Sequence, residues 1–532
     1  MNFLKRPASL AVLSAFLMWL AWPPIEYTAP LLLVGMVPLL LALEQIRKNG
    51  HKKNGKQVFL TAGLCFLIWN TACIYWVYNA ISAVNPPLIA LPVSLIPFGL
   101  GALLMTFAFW LYSRLALVAN AKIAYAGLIS FYIAMEYLHQ TWDLAFPWMS
   151  LGNGLAGMHQ LAQWYEYTGV YGGSLWILLS NILAFEAYKK IKSTATGYAR
   201  WRPALLWLLM LVIPIALSLT KYAQYEEKSV PVNVVAVQPN INPYTKFDGY
   251  SGFQQLNTLI SLSDSIAQSN TEYFVWPETA IPTETDEDQV RDNSYYFAAQ
   301  QFLNKYKNGT LITGIESTKL EAGKTQHYNA AMQVENSANV QFYHKSKLVP
   351  GVEKMPFPGL LSILAPVFEG FGGTIGGWGW QEHPEVFYAY SGIGTTPVIC
   401  YESLWGEWVG EAVKNGAQFI TIITNDAWWG NTSGKDQHLL YAKLRAIETR
   451  RYVVRSANTG ISAFINQKGD ILQQTKWWTR AAIKADINLN DSLTFYVRSG
   501  DLIAKFCAAL AIALALFILF KKWLRPDKTA SS

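Results

Sequence analysis

Three residues stand where thiol chemistry would need them. Glu278 closes "EYFVWPE", Lys345 sits in "VQFYHKSKL", and Cys400 closes "PVIC". Each follows a short β-type run, so each is a side chain delivered at a strand end. Taken singly they have ordinary readings: a turn acid after Trp-Pro, a solvated strand-edge lysine, a small core filler. Taken together they hold what acyl transfer by a thiol requires. The thiolate is the nucleophile, so the thiol needs a base. A carboxylate serves as that base if burial raises its pKa. The oxyanion of the tetrahedral intermediate needs a cation or N–H donors beside it. Glu, Lys and Cys fill those roles without a histidine.

The elements that must position these groups lie in residues 221–499. There "VPVNVVAVQPNI", "GTLITGIES", "HYNAAMQVE", "FITIITNDAWWG" and "YVVRSANTGISAF" read as strands, with helical stretches near 252–268, 405–415 and 436–450. Strands alternate with helices and then pair through turn signals such as "NQKGD", which predicts β-sheets covered by helices. The stretch is long enough to bury a sizeable core. Cys400 is the one cysteine within it; the other three of the chain's four, Cys65, Cys73 and Cys507, fall in apolar segments. An unpaired thiol in an oxidising compartment is either buried and inert or chemically employed.

Outside that domain the chain is apolar. Of its 532 residues 52% are hydrophobic and 14% charged, where soluble domains carry about a quarter charged residues. Eight stretches approach bilayer length, near 8–22, 29–46, 58–80, 87–113, 118–138, 168–188, 203–220 and 500–520; about 20 residues are needed to span. "LAWPPIEY" lacks a small-x-small cleavage site, so the first stretch reads as a span and not as a signal peptide. Lys and Arg gather in alternate loops: at 5–6, 47–56, 114–122, 189–202 and 521–528, and not at 23–28, 80–86 or 139–160. Cytoplasmic loops collect these residues. Both termini are therefore expected in the cytoplasm and residues 221–499 across the membrane. The net charge of +7 comes mostly from those loops and is no sign of nucleic acid. The sequence shows no metal-ligand spacing, no phosphate-binding glycine motif and no nucleic-acid motif.

"WPETAIP" with Glu278, "YHKSKLVP" with Lys345 and "ICYES" with Cys400 resemble the Glu-Lys-Cys triad of the nitrilase/carbon-nitrogen hydrolase superfamily. Seven spans before such a domain and one after resemble the apolipoprotein N-acyltransferase family within it. "AFPWMSLGN" (145–153), Glu353 eight residues after Lys345, Glu402, "NDAWWG" and "RSANTGISA" match in the same order. The chain departs from the family at Gly351-Val352, where Phe-Gly is frequent, and at Phe247, where Trp is frequent.

The resemblance implies an eight-span α-helical transmembrane bundle (1–220, with 500–532 as last span and basic cytoplasmic tail) and a periplasmic nitrilase-like α-β-β-α sandwich (221–499). It implies transfer of an acyl chain from a phospholipid to the α-amino group of a diacylglyceryl-modified apolipoprotein cysteine, through a Cys400 thioester. Glu278 would be the base, and Lys345 with the backbone N–H of Tyr401 the oxyanion donors. Glu353 and Glu402 would support them, and Trp148, Phe247, Trp378 and Trp380 would meet substrate. Residues 357–385, rich in Gly and aromatics, read either as a loop reaching the membrane interface or, equally, as an ordinary packed excursion. Glu136, inside a span, is expected to pack or to function. No cofactor or metal is implied, and a monomer in the bacterial inner membrane is expected. Two other readings are a membrane-tethered amidase or nitrilase, with water as second nucleophile, and a transporter with a degenerate sensory domain, which would spread polar residues through its spans.

Overall fold

The computed structural model describes residues 6–49, 54–83, 85–194, 196–243, 246, 251–358 and 377–523. Its N-terminal part is helical: α1 (Pro7–Leu20), α2 (Val37–Lys48), α3 (Asn54–Ile74), α4 (Trp76–Ser82), α5 (Pro87–Leu115), α6 (Ala121–Thr141), α7 (Tyr165–Ile191) and α8 (Gly197–Gln224). The expected third span, 58–80, is not one helix. It divides at Tyr75 into α3 and α4, where Trp76 turns inward and is buried against Trp148 and Trp429. The second span begins as a 3₁₀ turn at Ala29–Leu33, and the seventh runs on to Gln224.

An α/β domain follows. Its first sheet uses β1 (Pro231–Gln238), β2 (Thr271–Val275), β3 (Ile281–Asp286), β4 (Thr310–Glu321), β5 (Lys324–Glu335), β6 (Val340–His344) and the late β13 (Ala481–Asn488). The order is β13-β1-β2-β4-β5-β6, with β3 beside β4. The second sheet uses β7 (Phe387–Tyr388), β8 (Gly394–Ile399), β9 (Phe419–Thr424), β10 (Val453–Ala457), β11 (Ala463–Ile465) and β12 (Ile471–Gln474), in the order β12-β11-β10-β9-β8-β7. Period-two side chains assign the layers. Val232, Val234 and Ala236 of β1 join the core between the sheets, whereas Val235 and Val237 pack under α9 (Gly252–Ile266) and α10 (Ser294–Leu303). On the far side Val398, Ile420, Ile422 and Val453 pack under α11 (Gly406–Lys414) and α12 (Ser433–Thr449). Tyr273 and Phe419 meet edge to face across the middle, centroids 5.0 Å apart. The result is an α-β-β-α sandwich. A short α13 (Phe495–Ser499) leads into α14 (Leu502–Trp523), which returns to the helical part.

Six described segments are long and apolar enough to cross a membrane: Ala29–Lys48, α3, α5, α7, α8 and α14. α1 has only 14 residues, and α6 carries Lys122, Glu136 and His139. α8 exposes Leu205, Leu206, Leu209, Val212, Ile213 and Leu217, and α14 exposes Leu516, Leu519 and Phe520. Contiguous apolar faces of that kind suit lipid. Glu136 has a structural partner: its Oε1 accepts the N–H of Leu151 at 2.7 Å.

The domain is keyed into the helices by α12. Gln437 Oε1 accepts the indole N–H of Trp148 (2.7 Å) and of Trp76 (3.1 Å), and its amide N–H donates to the carbonyls of Pro23 (2.8 Å) and Cys73 (3.0 Å). At the far end Glu448 accepts the N–H of Val170 at 3.1 Å. Arg450, just beyond, reaches Glu166 at 2.6 Å.

Candidate active site

Three strand ends converge at one edge of the sandwich. β2 ends in Trp276-Pro277-Glu278, tied to β4 by Trp276 N–H to the Ile312 carbonyl (2.9 Å) and Gly314 N–H to the Pro277 carbonyl (3.1 Å). The approach is so close that a Cβ on Gly314 would lie 2.6 Å from Glu278 Cα and 2.3 Å from Thr279 N. β6 ends at Lys345, whose N–H donates to the Asn329 carbonyl of β5 at 2.9 Å. β8 ends at Cys400, which adopts φ +52°, the left-handed region that a residue with a Cβ seldom enters.

The charges are buried and paired. Lys345 is 1% exposed and Glu278 8%. Lys345 Nζ lies 2.8 Å from Glu353 Oε1 and 3.3 Å from Glu278 Oε1. The Asn329 amide bridges the same two oxygens, at 3.2 Å and 2.9 Å. Glu278 Oε2 accepts the N–H of Asn425 at 3.1 Å, and Glu353 Oε2 accepts the N–H of Val349 at 2.8 Å. Burial works against the charge on Lys345, but the carboxylates of Glu353 and Glu278 outweigh it and hold its pKa well above the ordinary lysine range. Burial pushes the Cys400 thiol well up; the Glu278 carboxylate adds to the rise, and Lys345 opposes it. The resting site is therefore an ammonium between two carboxylates, beside a neutral thiol.

The other expected residues fall into distinct places. Glu402 is fully buried and touches neither Lys345 nor the thiol. Its oxygens accept Tyr343 O–H (2.6 Å), Ser346 N–H (2.6 Å), Lys347 N–H (3.1 Å) and Ile399 N–H (2.8 Å), so it fastens the segment after Lys345 to the strand before Cys400. Burial raises its pKa despite those donors. The Tyr401 side chain points to the helical part: its O–H donates to the Ala145 carbonyl at 2.8 Å, and its ring stacks on Phe146. Trp148 is fully buried, its N–H taken by Gln437. Trp378 N–H meets the Glu353 carbonyl at 3.3 Å, and Trp380 is 60% exposed with Lys354 over its ring. Phe247 and residues 359–376 of the expected interface loop lie outside the described residues.

Sequence reasoning passed over Asn329, which lies across the β5–β6 ladder from Lys345, one step beyond the Ala330–His344 pair. It also passed over the polar set behind Cys400. His438, Asp426 and Arg455 are there, all fully buried. The motifs "NDAWWG" and "RSANTGISA" contain two of them, but spacing alone gave no reason to join those to Cys400.

Comparison with known proteins bears on the whole chain. Residues 14–183 match the family described as apolipoprotein N-acyltransferase N-terminal domain, and residues 233–493 match carbon-nitrogen hydrolase. Apolipoprotein N-acyltransferase of Pseudomonas aeruginosa is 30% identical over 79% of this chain and 78% of its own length. The chain belongs to the apolipoprotein N-acyltransferase family. Family members from Chlorobaculum tepidum, 28% identical over 98% of both chains, and Geobacter metallireducens, 26% over 97% and 96%, extend the likeness from end to end. A solved amidase of the nitrilase superfamily from Nesterenkonia AN1, a Cys-to-Ala mutant, overlaps 52% of this chain and 96% of its own at 13% identity and a TM-score of 0.37. At that distance it adds nothing to the N-acyltransferase assignment.

Proposed function

We propose that this protein transfers an acyl chain from a membrane phospholipid to the α-amino group of the S-diacylglyceryl cysteine that begins an apolipoprotein, with Cys400 as covalent carrier. One observation carries the reading: a buried ammonium shared by two carboxylates beside a buried thiol. Lys345 is held too firmly protonated to accept a proton, which leaves Glu278 as base. Glu278 takes the Sγ proton, and the thiolate adds to the ester carbonyl carbon. Lys345 and the Tyr401 N–H hold the oxyanion. Its collapse breaks the ester C–O bond, and the leaving oxygen takes the proton from Glu278 as a lysophospholipid departs. The amine then adds to the Cys400 thioester and gives its proton to Glu278; the C–S bond breaks, and the leaving sulfur takes that proton from Glu278 to return the thiol. Glu353 fixes Lys345 throughout.

The same reading assigns residues 1–220 and 500–532 to a membrane domain of eight spans, counting α1 and α6, and residues 221–499 to a periplasmic catalytic domain. It makes the protein a monomer of the bacterial inner membrane, with both termini in the cytoplasm. Mass spectrometry of the protein after incubation with phospholipid tests the reading: Cys400 gains the mass of one acyl chain and loses it on addition of an amine-terminal lipopeptide. An unmodified Cys400 in protein that still acylates the lipopeptide would refute it, and loss of the acyl group to water alone would favour hydrolysis.

A further inference from the structure

Cys400 holds a left-handed backbone conformation, φ +52°, that persists only where its surroundings over-determine it. What surrounds it is a fully buried polar set that the reaction scheme above leaves unused. His438 Nε2 lies 3.1 Å from the Cys400 carbonyl oxygen and 2.9 Å from Ser403 Oγ. Ser403 O–H donates to the same carbonyl at 2.9 Å. Behind the ring, His438 Nδ1 is 3.0 Å from Asp426 Oδ1 and 3.0 Å from an Arg455 guanidinium nitrogen, which itself reaches Asp426 Oδ2 at 2.6 Å. Thr424 O–H closes the set on Asp426 Oδ1 at 3.0 Å. Nδ1 accepts from the Arg455 guanidinium, which Asp426 holds in place. Arg455 can only donate and the Cys400 carbonyl can only accept, so the tautomer that serves both contacts has a bare Nδ1 and carries its hydrogen on Nε2, facing the carbonyl.

The peptide unit is planar and trans, so its C=O and the next residue's N–H point in opposite directions. Fixing the Cys400 carbonyl on the His438 side therefore fixes the direction of the Tyr401 N–H on the other. We infer that His438, backed by Asp426 and Arg455 and assisted by Ser403, is a positioning residue: it orients the Cys400–Tyr401 peptide unit and so aims the Tyr401 N–H at the oxyanion. The inference rests on the thioester reading above and adds the device that holds the backbone donor in place. His438 touches neither substrate nor thiol and moves no proton in the reaction.

The test compares two reactions of the same sulfur. Acyl transfer to Cys400 passes through an oxyanion; alkylation by iodoacetamide displaces iodide and forms none. In the full-length protein in detergent, His438→Leu should slow single-turnover thioester formation by about 10²-fold, the effect of losing one such donor, with kcat and not KM carrying the loss. The alkylation rate of Cys400, followed across pH, should stay that of the parent. His438→Gln, which can present an N–H to the same carbonyl, should recover part of the acylation rate. Ser403→Ala leaves Asp426 and Arg455 untouched and should give a smaller loss with the same selectivity, and it decides the matter if His438→Leu does not fold. Equal slowing of alkylation and acylation, or no slowing of either, overturns the inference. A parent protein that alkylates normally at Cys400 but never forms a thioester overturns the parent reading instead.

Discussion

At the scale of residues, the site separates two jobs that a single histidine could have combined. The ammonium of Lys345 is held by Glu353 at 2.8 Å and Glu278 at 3.3 Å, so it stays a cation. The thiol is the reverse case, since burial and the Glu278 charge both favour its protonated form. A base is then needed for every turnover. Glu278→Gln should make thioester formation very slow near neutral pH. Raising the pH should recover part of the rate, because solvent can then supply thiolate and the mutant has lost a negative charge that kept the thiol pKa up. Lys345→Met leaves the base in place but removes a cation from the oxyanion, a loss on the order of 10²–10³ in rate that alkali should not repair. Single-turnover thioester formation across pH measures both. Rescue by alkali of Lys345→Met, and not of Glu278→Gln, would show that the roles are exchanged. Cys400→Ser, with a far less acidic hydroxyl, should fold and form no acyl-enzyme; acyl transfer by that variant in detergent would remove the covalent step.

At the scale of elements, α12 does the most to join the parts. Gln437, Tyr441 and Glu448 fall one to three turns apart on one stripe and engage the helical part, Tyr441 through its O–H on the Trp148 carbonyl at 3.2 Å. His438 and Arg445, on the neighbouring stripe, hold the turn that carries Cys400; Arg445 donates to the Leu404 carbonyl at 2.8 Å. One helix thus sets the nucleophile relative to the membrane part. Gln437→Leu would leave two buried indole N–H groups without their acceptor, at about 1–3 kcal/mol each, and should lower the midpoint of thermal inactivation in detergent. A midpoint equal to the parent's would show that this junction contributes nothing. The β2–β4 junction is the other tight fit. Gly314→Ala must push the Glu278 turn outward, costing about 1–3 kcal/mol by overpacking and lowering kcat more than KM. Unchanged kinetics would mean that the turn has slack. Most of the strands, and α9, α11 and α12, were legible because their apolar spacing is regular; β3, β7 and β13 were not read as strands. α10 was not: "SYYFAAQQFL" buries only Tyr296, Ala299, Phe302 and Leu303 and sits among polar loops. Glu278, Lys345 and Cys400 were legible because each ends a β-type run. Asn329 and His438 were not, because the first needs the β5–β6 register and the second needs a helix packed behind β8, and neither is written in local spacing.

At the scale of the molecule, the apolar segments carry a further expectation: the side of the membrane on which the domain lies. The loops rich in Lys and Arg alternate with loops that have none, and basic loops stay in the cytoplasm. The basic turn after α2 and the domain between α8 and α14 must then lie on opposite sides, since an odd number of the eight proposed spans separates them. Single cysteines can report this because the four native ones, Cys65, Cys73, Cys400 and Cys507, are all buried. Asn49, at the start of that basic turn, and Asp286, at the end of β3 in the domain, are both exposed, so a thiol at either place is reachable from its own side. In intact cells whose outer barrier has been opened, Asp286→Cys should react with a membrane-impermeant maleimide while Asn49→Cys should not. After the inner membrane is permeabilised, both should react. Labelling of Asn49→Cys alone in intact cells would invert the protein. Labelling of both would break the span count, because an even number of crossings would then lie between the two positions. That result would send attention first to α1 and α6, the two segments too short or too polar to qualify by length and composition. α6 lies between the two reporters and α1 does not, so the labelling pattern would single out α6.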